Sequence, residues 1–427
     1  MKKIILNLLS KLAKSVIDKH KPMIIGITGS IGKTTTTRFV SDFLKNIYGN
    51  EVYYSLNYYN GEFGIPLTIL LTRDSPGKNL IGWAKVLFKG FLLILKKDYP
   101  KYLVLEYGID TPGEMDFLLN IAKPNYGIIL NIFPSNIERF GNFESYKQEK
   151  LKFVKASKNI IFNLDNLEEL KDLGKNMMYY GKNEDSSIYA TDIKTELEKI
   201  SFTLNYREEK VHLEYNMLGD HQVYNIMPVF ALGIFLGIEL ETIKDALSGV
   251  SLPKGRGNIL TGISEAIIID GSYNGGFEAM KAGIAYLEAI EEDFYKMLFL
   301  GDMRELGQET EATHLELAHI IKQSTVNFIF LVGEEMKKYV YENLKDDFEN
   351  RIFRFQTSVQ AGKNIRELLI NINDKRSIIF VKGSQNTIFL EEGIKEFLYD
   401  MRDQEQLCRQ NLEWMAKKEY FYSNIIV

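Results

Sequence analysis

A glycine-rich loop between an apolar segment and a helical one constrains the fold of this chain more than any other feature. Residues 26–37 read GITGSIGKTTTT, a variant G-x-T-G-x-x-G-K-T-T of the pattern that holds polyphosphates. Residues 23–27 are apolar and predict a strand, and residues 34–44 predict a helix. The loop amides and the positive end of that helix then converge on one anion. The residues expected to hold the phosphates are Gly29, Ser30, Gly32, Lys33, Thr34 and Thr35.

Length and composition limit the class of protein. The 427 residues are enough for two or three domains, and 45% hydrophobic with 26% charged residues is typical of a soluble protein. The formal charge of −5 gives no electrostatic reason to bind nucleic acid. The single cysteine, Cys408, excludes an internal disulfide and fits a reducing compartment, which we expect to be the cytoplasm. Residues 1–17 form a basic amphipathic stretch without the features of a cleavable signal peptide.

The most apolar segment is LIGWAKVLFKGFLLIL at residues 80–95. Lys85 and Lys89 interrupt it, and it is short for a membrane span. We therefore predict a helix packed on the body of the protein. Contact with a membrane surface is the alternative, because Trp83 and the lysines suit an interface.

Strand-like and helical patterns alternate along the chain, which predicts parallel α/β sheets. Residues 186–214 differ, because their short alternating runs predict a β-rich appendage. Ligands gather at the carboxyl ends of parallel strands, so polar residues there are candidate site residues. The strands predicted at 102–105, 127–130 and 159–162 are followed by Glu106, Asn131 and Asn163.

A Pro/Gly-containing segment at residues 253–257 reads as a linker, and a second α/β pattern follows it. The predicted fold is a phosphate-loop central domain with a mostly parallel sheet, followed by a C-terminal Rossmann-like α/β domain. The predicted boundaries are an N-terminal amphipathic helix at 1–21, a central domain at 22–253 and a C-terminal domain at 254–427.

An ordered series of motifs extends from about residue 22 to 395. After the loop come GEFGIPLT (61–68), EYG (106–108), PGE (112–114), IERFG (137–141), GDHQVYN (219–225), GR (255–256), DGSYN (270–274), GDMRELG (301–307) and KGS (382–384). The series resembles the Mur ligase family, and most of all its members that add D-alanyl-D-alanine.

The resemblance implies an ATP- and Mg²⁺-dependent ligase. In such enzymes a carboxylate attacks the γ-phosphate of ATP, an amine attacks the resulting acyl phosphate, and ADP and phosphate are released. The implied substrates are a nucleotide-linked peptidoglycan-precursor peptide and an amino acid or dipeptide amine, and the enzyme is expected to be a monomer.

The resemblance also assigns roles to the site residues. Lys33 would contact the outer phosphates, and Thr34 and Glu106 would hold Mg²⁺. Lys150 matches a lysine that is carbamylated in this family and could hold a second Mg²⁺, and Arg256 matches an arginine that approaches the phosphates. The alternatives are a surface acid for Glu106, a solvated lysine for Lys150 and a solvated linker charge for Arg256.

Nucleotide contacts are implied for four further residues. His221 and Asn225 match the adenine-binding segment, with packing at a helix start as the alternative. Tyr273 and Asn274 resemble residues near the ribose and the base.

This chain departs from the family pattern at two positions. Asn136 stands where a histidine metal ligand is usual, and an asparagine oxygen binds Mg²⁺ more weakly than a charged ligand does. Gly271 stands where an aspartate is common, and neighbouring Asp270 could compensate for it. Three later features have two open interpretations each: Asp302 and His314 could meet the amine substrate or brace the fold, and residues 382–384 could meet the acceptor peptide or fix a turn.

Only about 22 residues precede the first strand, whereas the family has an N-terminal uridine-binding domain of about a hundred residues, a common domain size. We expect recognition of a UDP-linked substrate to be relocated, reduced or absent. Three rival functions stay open: a related ligase acting on a cofactor precursor or another wall polymer, a nucleotide-binding scaffold without catalysis, and a simple ATPase or kinase.

Overall fold

The computed structural model describes residues 2–55, 61–72, 75–77, 79–134, 137–174, 176–197, 199–304, 306–372, 374–384 and 388–424. The chain divides into two compact units. The N-terminal unit consists of Met1–Asn216 and Asp220–Ser251. The C-terminal unit consists of Met217–Gly219 and Leu252–Val427.

One large sheet organises the N-terminal unit. Within the described residues it has nine strands, in the order β2-β3-β1-β4-β5-β6-β7-β8-β9. Neighbours from β2 to β7 pair in parallel, and β7, β8 and β9 pair antiparallel as the predicted β-rich appendage. The strands are β1 (Met23–Thr28), β2 (Val52–Tyr54), β3 (Tyr102–Glu106), β4 (Tyr126–Ile129), β5 (Asn159–Asn163), β6 (Asn176–Gly181), β7 (Ile188–Thr195), β8 (Ile200–Tyr206) and β9 (Glu209–Tyr215).

The helices of this unit carry apolar stripes that pack on the sheet or on each other. In α2, Phe39, Val40, Phe43 and Leu44 recur at helical spacing and are all buried. The helices are α1 (Lys2–His20), α2 (Lys33–Tyr48), α3 (Gly61–Ile69), α4 (Leu80–Leu95), α5 (Glu114–Ile121), α6 (Ile137–Phe140), α7 (Phe143–Ala156), α8 (Val223–Phe235) and α9 (Leu240–Ala246).

The apolar segment at residues 80–95 forms α4, which packs against α1 as a helix on the body of the unit. Trp83 is buried, and its Nε1 donates to the Gly77 carbonyl oxygen at 3.0 Å. Trp83 therefore belongs to the buried face of α4, as the prediction of a helix packed on the body of the protein requires. None of the helices in the described ranges combines the length and the apolar character that a bilayer crossing demands.

A second sheet forms the core of the C-terminal unit. Its six strands within the described ranges have the order β10-β11-β15-β12-β13-β14, and only the β10–β11 pair is antiparallel. These are β10 (Asn258–Thr261), β11 (Ile267–Gly271), β12 (Tyr295–Gly301), β13 (Phe328–Val332), β14 (Ile352–Phe355) and β15 (Ser377–Lys382). The helices are α10 (Phe277–Glu288), α11 (Thr310–Lys322), α12 (Glu342–Phe348), α13 (Ser358–Asn371), α14 (Leu390–Lys395) and α15 (Leu412–Ser423). Two largely parallel sheets with intervening helices confirm the predicted α/β fold class.

Candidate active site

The order of the strands places the phosphate-binding loop inside the parallel part of the N-terminal sheet, with strands on both sides. Strand β1 lies between β3 and β4, and the loop leaves its carboxyl end. The chain runs from β1 to one edge of the sheet and later crosses to β4 on the other side, so a crevice forms at this point. Glu106 ends β3 and Asn131 follows β4, so both lie beside the loop.

Gly32 begins α2 in a conformation that favours glycine. Its φ angle is +86°, and a Cβ atom there would lie 2.5 Å from Oδ1 of Asn225. In the described part of the chain no side chain caps this helix start, so the first-turn amides point towards an incoming anion.

The predicted phosphate and metal residues lie together. Lys33 Nζ donates to the carbonyl oxygens of Gly29 at 2.8 Å and Ser30 at 3.1 Å, so its ammonium group folds over the loop. Thr34 Oγ1 donates to Oε1 of Glu106 at 3.4 Å, and both side chains are buried. Thr35, also predicted here, is buried in the first turn of α2.

Thr34 and Glu106 fit the chemistry of a Mg²⁺ site. They supply a hydroxyl and a carboxylate oxygen, and Mg²⁺ is usually held by one or two carboxylates together with phosphate oxygens and water. Among the described residues no three His, Cys, Asp or Glu side chains group closely enough to form a metal site alone. Asn136, the other predicted ligand, lies outside the described residues.

Lys150 lies inside this site and not on the solvated face of α7. Its side chain is 1% exposed, and Nζ donates to the Gly29 carbonyl oxygen at 3.0 Å. The Tyr146 ring lies 4.9 Å from Nζ, one helical turn earlier. Burial and then the positive charge of Lys33 hold the pKa of the Lys150 ammonium well below its usual range, although Asp110 and Glu106 oppose the shift.

Asn131 and Tyr146 hold the loop from the other side. Oδ1 of Asn131 accepts from the amides of Ser30 at 3.0 Å and Ile31 at 2.9 Å. The Ser30 hydroxyl lies 3.0 Å from the Tyr146 hydroxyl. Sequence reasoning gave Asn131 as a strand-end candidate and missed Tyr146, although its position four residues before Lys150 placed both on one helix face.

Of the two residues predicted to bind adenine, Asn225 is buried and His221 is exposed. Asn225 is buried, accepts from Thr36 Oγ1 at 3.3 Å and donates to Gln222 Oε1 at 2.9 Å, so it braces the start of α2. His221 is exposed, and its Nε2 lies 3.1 Å from Nε2 of Gln222.

In the C-terminal unit, Arg256 and Tyr273 are brought together. The Arg256 guanidinium lies 4.4 Å from the centre of the Tyr273 ring, and the Tyr273 amide donates to the Gly255 carbonyl oxygen at 3.1 Å. This contact with the ring fixes the orientation of the guanidinium and leaves its N–H groups able to donate hydrogen bonds to a ligand. Asn274 is exposed and accepts from the Gly275 amide at 3.0 Å.

A buried ion network fixes the Tyr273 backbone, and sequence reasoning missed it. Arg409 donates to the carbonyl oxygens of Ser272 at 2.8 Å and Tyr273 at 2.9 Å. It also forms a bidentate pair with fully buried Glu391, at 2.6 and 2.8 Å. Lys418 of α15 joins the same carboxylate at 2.9 Å. The C-terminal segment thus positions the turn that carries Tyr273.

Strand β15 approaches the backbone at position 271 so closely that only glycine fits there. A Cβ atom at Gly271 would lie 2.8 Å from the Val381 carbonyl oxygen and 2.9 Å from Cδ of Lys382. The Lys382 side chain thus fills the room beside Gly271. Asp270 is fully buried, and its Oδ1 accepts from the Ser272 amide at 2.9 Å.

The remaining predicted residues of this unit form hydrogen bonds within it. Asp302 accepts from the Met336 amide at 2.8 Å, and buried His314 accepts from the Met303 amide at 3.2 Å. Ser384 donates to the Gly275 carbonyl oxygen at 2.9 Å and accepts from the Arg304 amide at 2.9 Å.

This chain is similar to known proteins in both sequence and fold. Residues 27–233 match the family model of the Mur ligase middle domain. A UDP-N-acetylmuramoyl-tripeptide–D-alanyl-D-alanine ligase from Buchnera aphidicola subsp. Baizongia pistaciae is 29% identical over 399 residues, 91% of this chain and 79% of that protein. The Bacillus subtilis protein of the same name is 27% identical over 397 residues, covering 92% and 79%.

Solved structures show the same fold. MurF from Acinetobacter baumannii superposes with a TM-score of 0.72 at 22% identity, covering 88% of this chain and 77% of that one. The MurF ligase of Thermotoga maritima, determined in complex with ADP, gives 0.74 at 21% identity, covering 94% and 84%.

The fold, the phosphate-binding loop and these matches define a protein of the Mur ligase type. More particularly, the chain is a MurF-like protein. This agrees with the resemblance read from the motif series.

Proposed function

We propose that this chain is an ADP-forming carbon–nitrogen ligase that uses ATP to join D-alanyl-D-alanine to the carboxylate of a UDP-N-acetylmuramoyl-tripeptide. The convergence of Lys33, Thr34 and Glu106 at the start of α2 carries this proposal. The activity for which the related ligases are named supplies the substrates. We further propose that the enzyme acts in the cytoplasm as a monomer.

The first step forms an acyl phosphate. A carboxylate oxygen of the acceptor attacks the γ-phosphorus of ATP, the bond to the bridging oxygen breaks, and ADP leaves. Phosphoryl transfer depends mainly on positioning and on neutralising charge. The loop amides and Lys33 would hold the phosphates. Thr34 and Glu106 would hold Mg²⁺, which would supply positive charge to neutralise the phosphate oxygens.

The second step forms the amide. The free amine attacks the acyl carbon, the carbon–oxygen bond to phosphate breaks, and the attacking nitrogen loses a proton. Water would hydrolyse the acyl phosphate, so the site must exclude it until the amine arrives.

Lys150 is proposed to carry a carbamate. Its buried Nζ, with a lowered pKa, has the neutral form that attacks CO₂; a nitrogen–carbon bond forms and one proton leaves. The cation becomes an anionic oxygen donor at the loop, which could bind a second Mg²⁺. Arg256, His221, Asn225, Tyr273 and Asn274 are proposed nucleotide contacts.

Measurement of ADP release tests the proposed function. The protein is incubated with ATP and Mg²⁺ plus the UDP-linked tripeptide, D-alanyl-D-alanine, both or neither. Ligation predicts ADP release and an amide product only with both substrates. Equal release with neither would indicate an ATPase, release only with other carboxylates would indicate a different Mur-type ligase, and nucleotide binding without turnover would indicate a scaffold.

A further inference from the structure

Helix α4 is apolar on two opposite faces. Its inner face buries Trp83, Val86 and Leu93. The opposite side chains are exposed, Ile81 at 71% and Phe88 at 64%. A helix that is hydrophobic all round is normally buried, so an uncovered half indicates an interaction surface. The exposed face of α4 consists of Leu80, Ile81, Phe88, Phe91, Leu92 and Leu95.

The packing of α4 fixes the direction of this face. At its C-terminal end, His20 Nε2 of α1 lies 3.0 Å from the Leu93 carbonyl oxygen, and Lys19 Nζ donates to that of Ile94. At its N-terminal end, Asn79 caps the helix by accepting from the Gly82 amide at 3.1 Å. The apolar side chains are therefore held outward by a capped and docked helix.

The charges around this face are mostly positive. Lys85 and Lys89 lie within α4, and Lys96 and Lys97 follow it before one acid, Asp98. The neighbouring helix α1 contributes five lysines and one acid, Asp18. This local excess of positive charge contrasts with the formal charge of −5 for the whole chain.

The charge pattern favours an anionic lipid surface over a second copy of this chain as the partner of the exposed face of α4. A second copy of this chain would bring two lysine-rich rims together, and like charges would oppose that contact. An anionic lipid surface instead supplies hydrocarbon for Ile81 and Phe88 and negative head groups for the lysines. The 16 residues of α4 measure about 24 Å, less than the roughly 30 Å hydrocarbon core, so the helix suits a position in the plane of the interface.

We propose that the exposed face of α4 binds the surface of an anionic membrane. The aromatic and aliphatic side chains enter the head-group boundary while the exposed residues Lys85, Lys96 and Lys97 contact lipid phosphates. This proposal is independent of the catalytic one, because binding needs no ATP, metal or precursor.

Co-flotation of the full-length protein with lipid vesicles tests the proposal. We expect binding to phosphatidylcholine vesicles that contain about 30% phosphatidylglycerol, weaker binding to phosphatidylcholine alone, and release at about 0.5 M salt. Phe88→Ser should lower the partition coefficient about tenfold. Lys85→Glu combined with Lys96→Glu should lower it by at least as much.

A matched control separates this face from general surface hydrophobicity. Ile370 of α13 is also exposed, at 55%, and Ile370→Ser should leave binding unchanged. Urea unfolding of each variant checks that its fold is intact. Equal recovery with and without anionic lipid, unchanged binding of Phe88→Ser, or a lipid-free dimer that Phe88→Ser dissociates would each overturn the proposal, the last in favour of a second copy.

Discussion

The Nζ atom of Lys150 lies 3.0 Å from the carbonyl oxygen of Gly29, so α7 delivers a buried amine to the phosphate-binding loop. Lys33 donates to the same carbonyl oxygen at 2.8 Å. Two lysines thus share one acceptor, and this proximity is one cause of the lowered pKa of Lys150. A carbamate on Lys150 would replace one of the two positive charges by a negative one.

Replacement of Lys150 by alanine should lower kcat by about 100-fold or more, because it removes a charged group from the transferring phosphate. The same helix offers a control in Lys147, whose ion pair with Glu169 is partly exposed. Lys147→Ala should keep wild-type kcat. Wild-type enzyme depleted of CO₂ should lose activity and regain it with bicarbonate, and a fully active Lys150→Ala enzyme would end this role for the residue.

Substitution of Gly32 tests the geometry of the loop. In Gly32→Ala the new Cβ would lie 2.5 Å from Oδ1 of Asn225, and φ is +86°. Gly49 follows the same helix with φ +58° and no atom of the described residues within 4 Å of a Cβ, so Gly49→Ala carries only backbone strain, about 1–3 kcal/mol. Urea unfolding should show a larger loss for Gly32→Ala, and Asn225→Ala should recover part of the difference. Equal losses for both glycines would contradict the contact.

The sequence predicted the parts of this molecule that rest on local pattern. The apolar run before the loop became β1, and the segment at 80–95 became α4, because period and composition act within a few turns. The sequence could not predict the contact between the Tyr146 and Ser30 hydroxyls, or the hydrogen bond from Arg409 to the Tyr273 carbonyl oxygen, because these contacts join segments that are distant in the chain. The sequence also could not show that Trp83 lies on the buried face of α4, because both faces of that helix are apolar and periodicity could not distinguish them.

The ion network at Arg409 should contribute strongly to stability. In Arg409→Met the Glu391 carboxylate keeps, among the described residues, only Lys418 as an ion-pair partner, and loss of one partner in a buried pair costs about 3–5 kcal/mol. Arg402 forms an exposed pair with Asp400, so Arg402→Met should leave the urea midpoint unchanged. Because Arg409 also fixes the Tyr273 carbonyl, we expect the KM for ATP to rise more than kcat falls. A midpoint that shifts equally in both variants would contradict the network.

Lys382 should give stability a distinctive pH dependence. Burial, and next the charge of Arg256, lower the pKa of Lys382 to about 8. The unfolded chain keeps that proton up to its ordinary pKa of about 10.4, so this group makes unfolding less favourable as pH rises from about 8 to 10. Lys382→Met removes the effect. Its stability relative to wild type, from urea unfolding, should be higher at pH 7 than at pH 9.5; a pH-independent difference would contradict the shift.

Transfer of ¹⁸O from the carboxylate tests the central claim most directly. The acceptor is labelled in both carboxylate oxygens and converted with ATP and D-alanyl-D-alanine, and the released phosphate is analysed by mass spectrometry. An acyl phosphate predicts one ¹⁸O atom in each phosphate released and one in the new amide. Unlabelled phosphate, with the label retained on the carboxylate, would show that ATP is hydrolysed by water and that the proposed ligation is wrong.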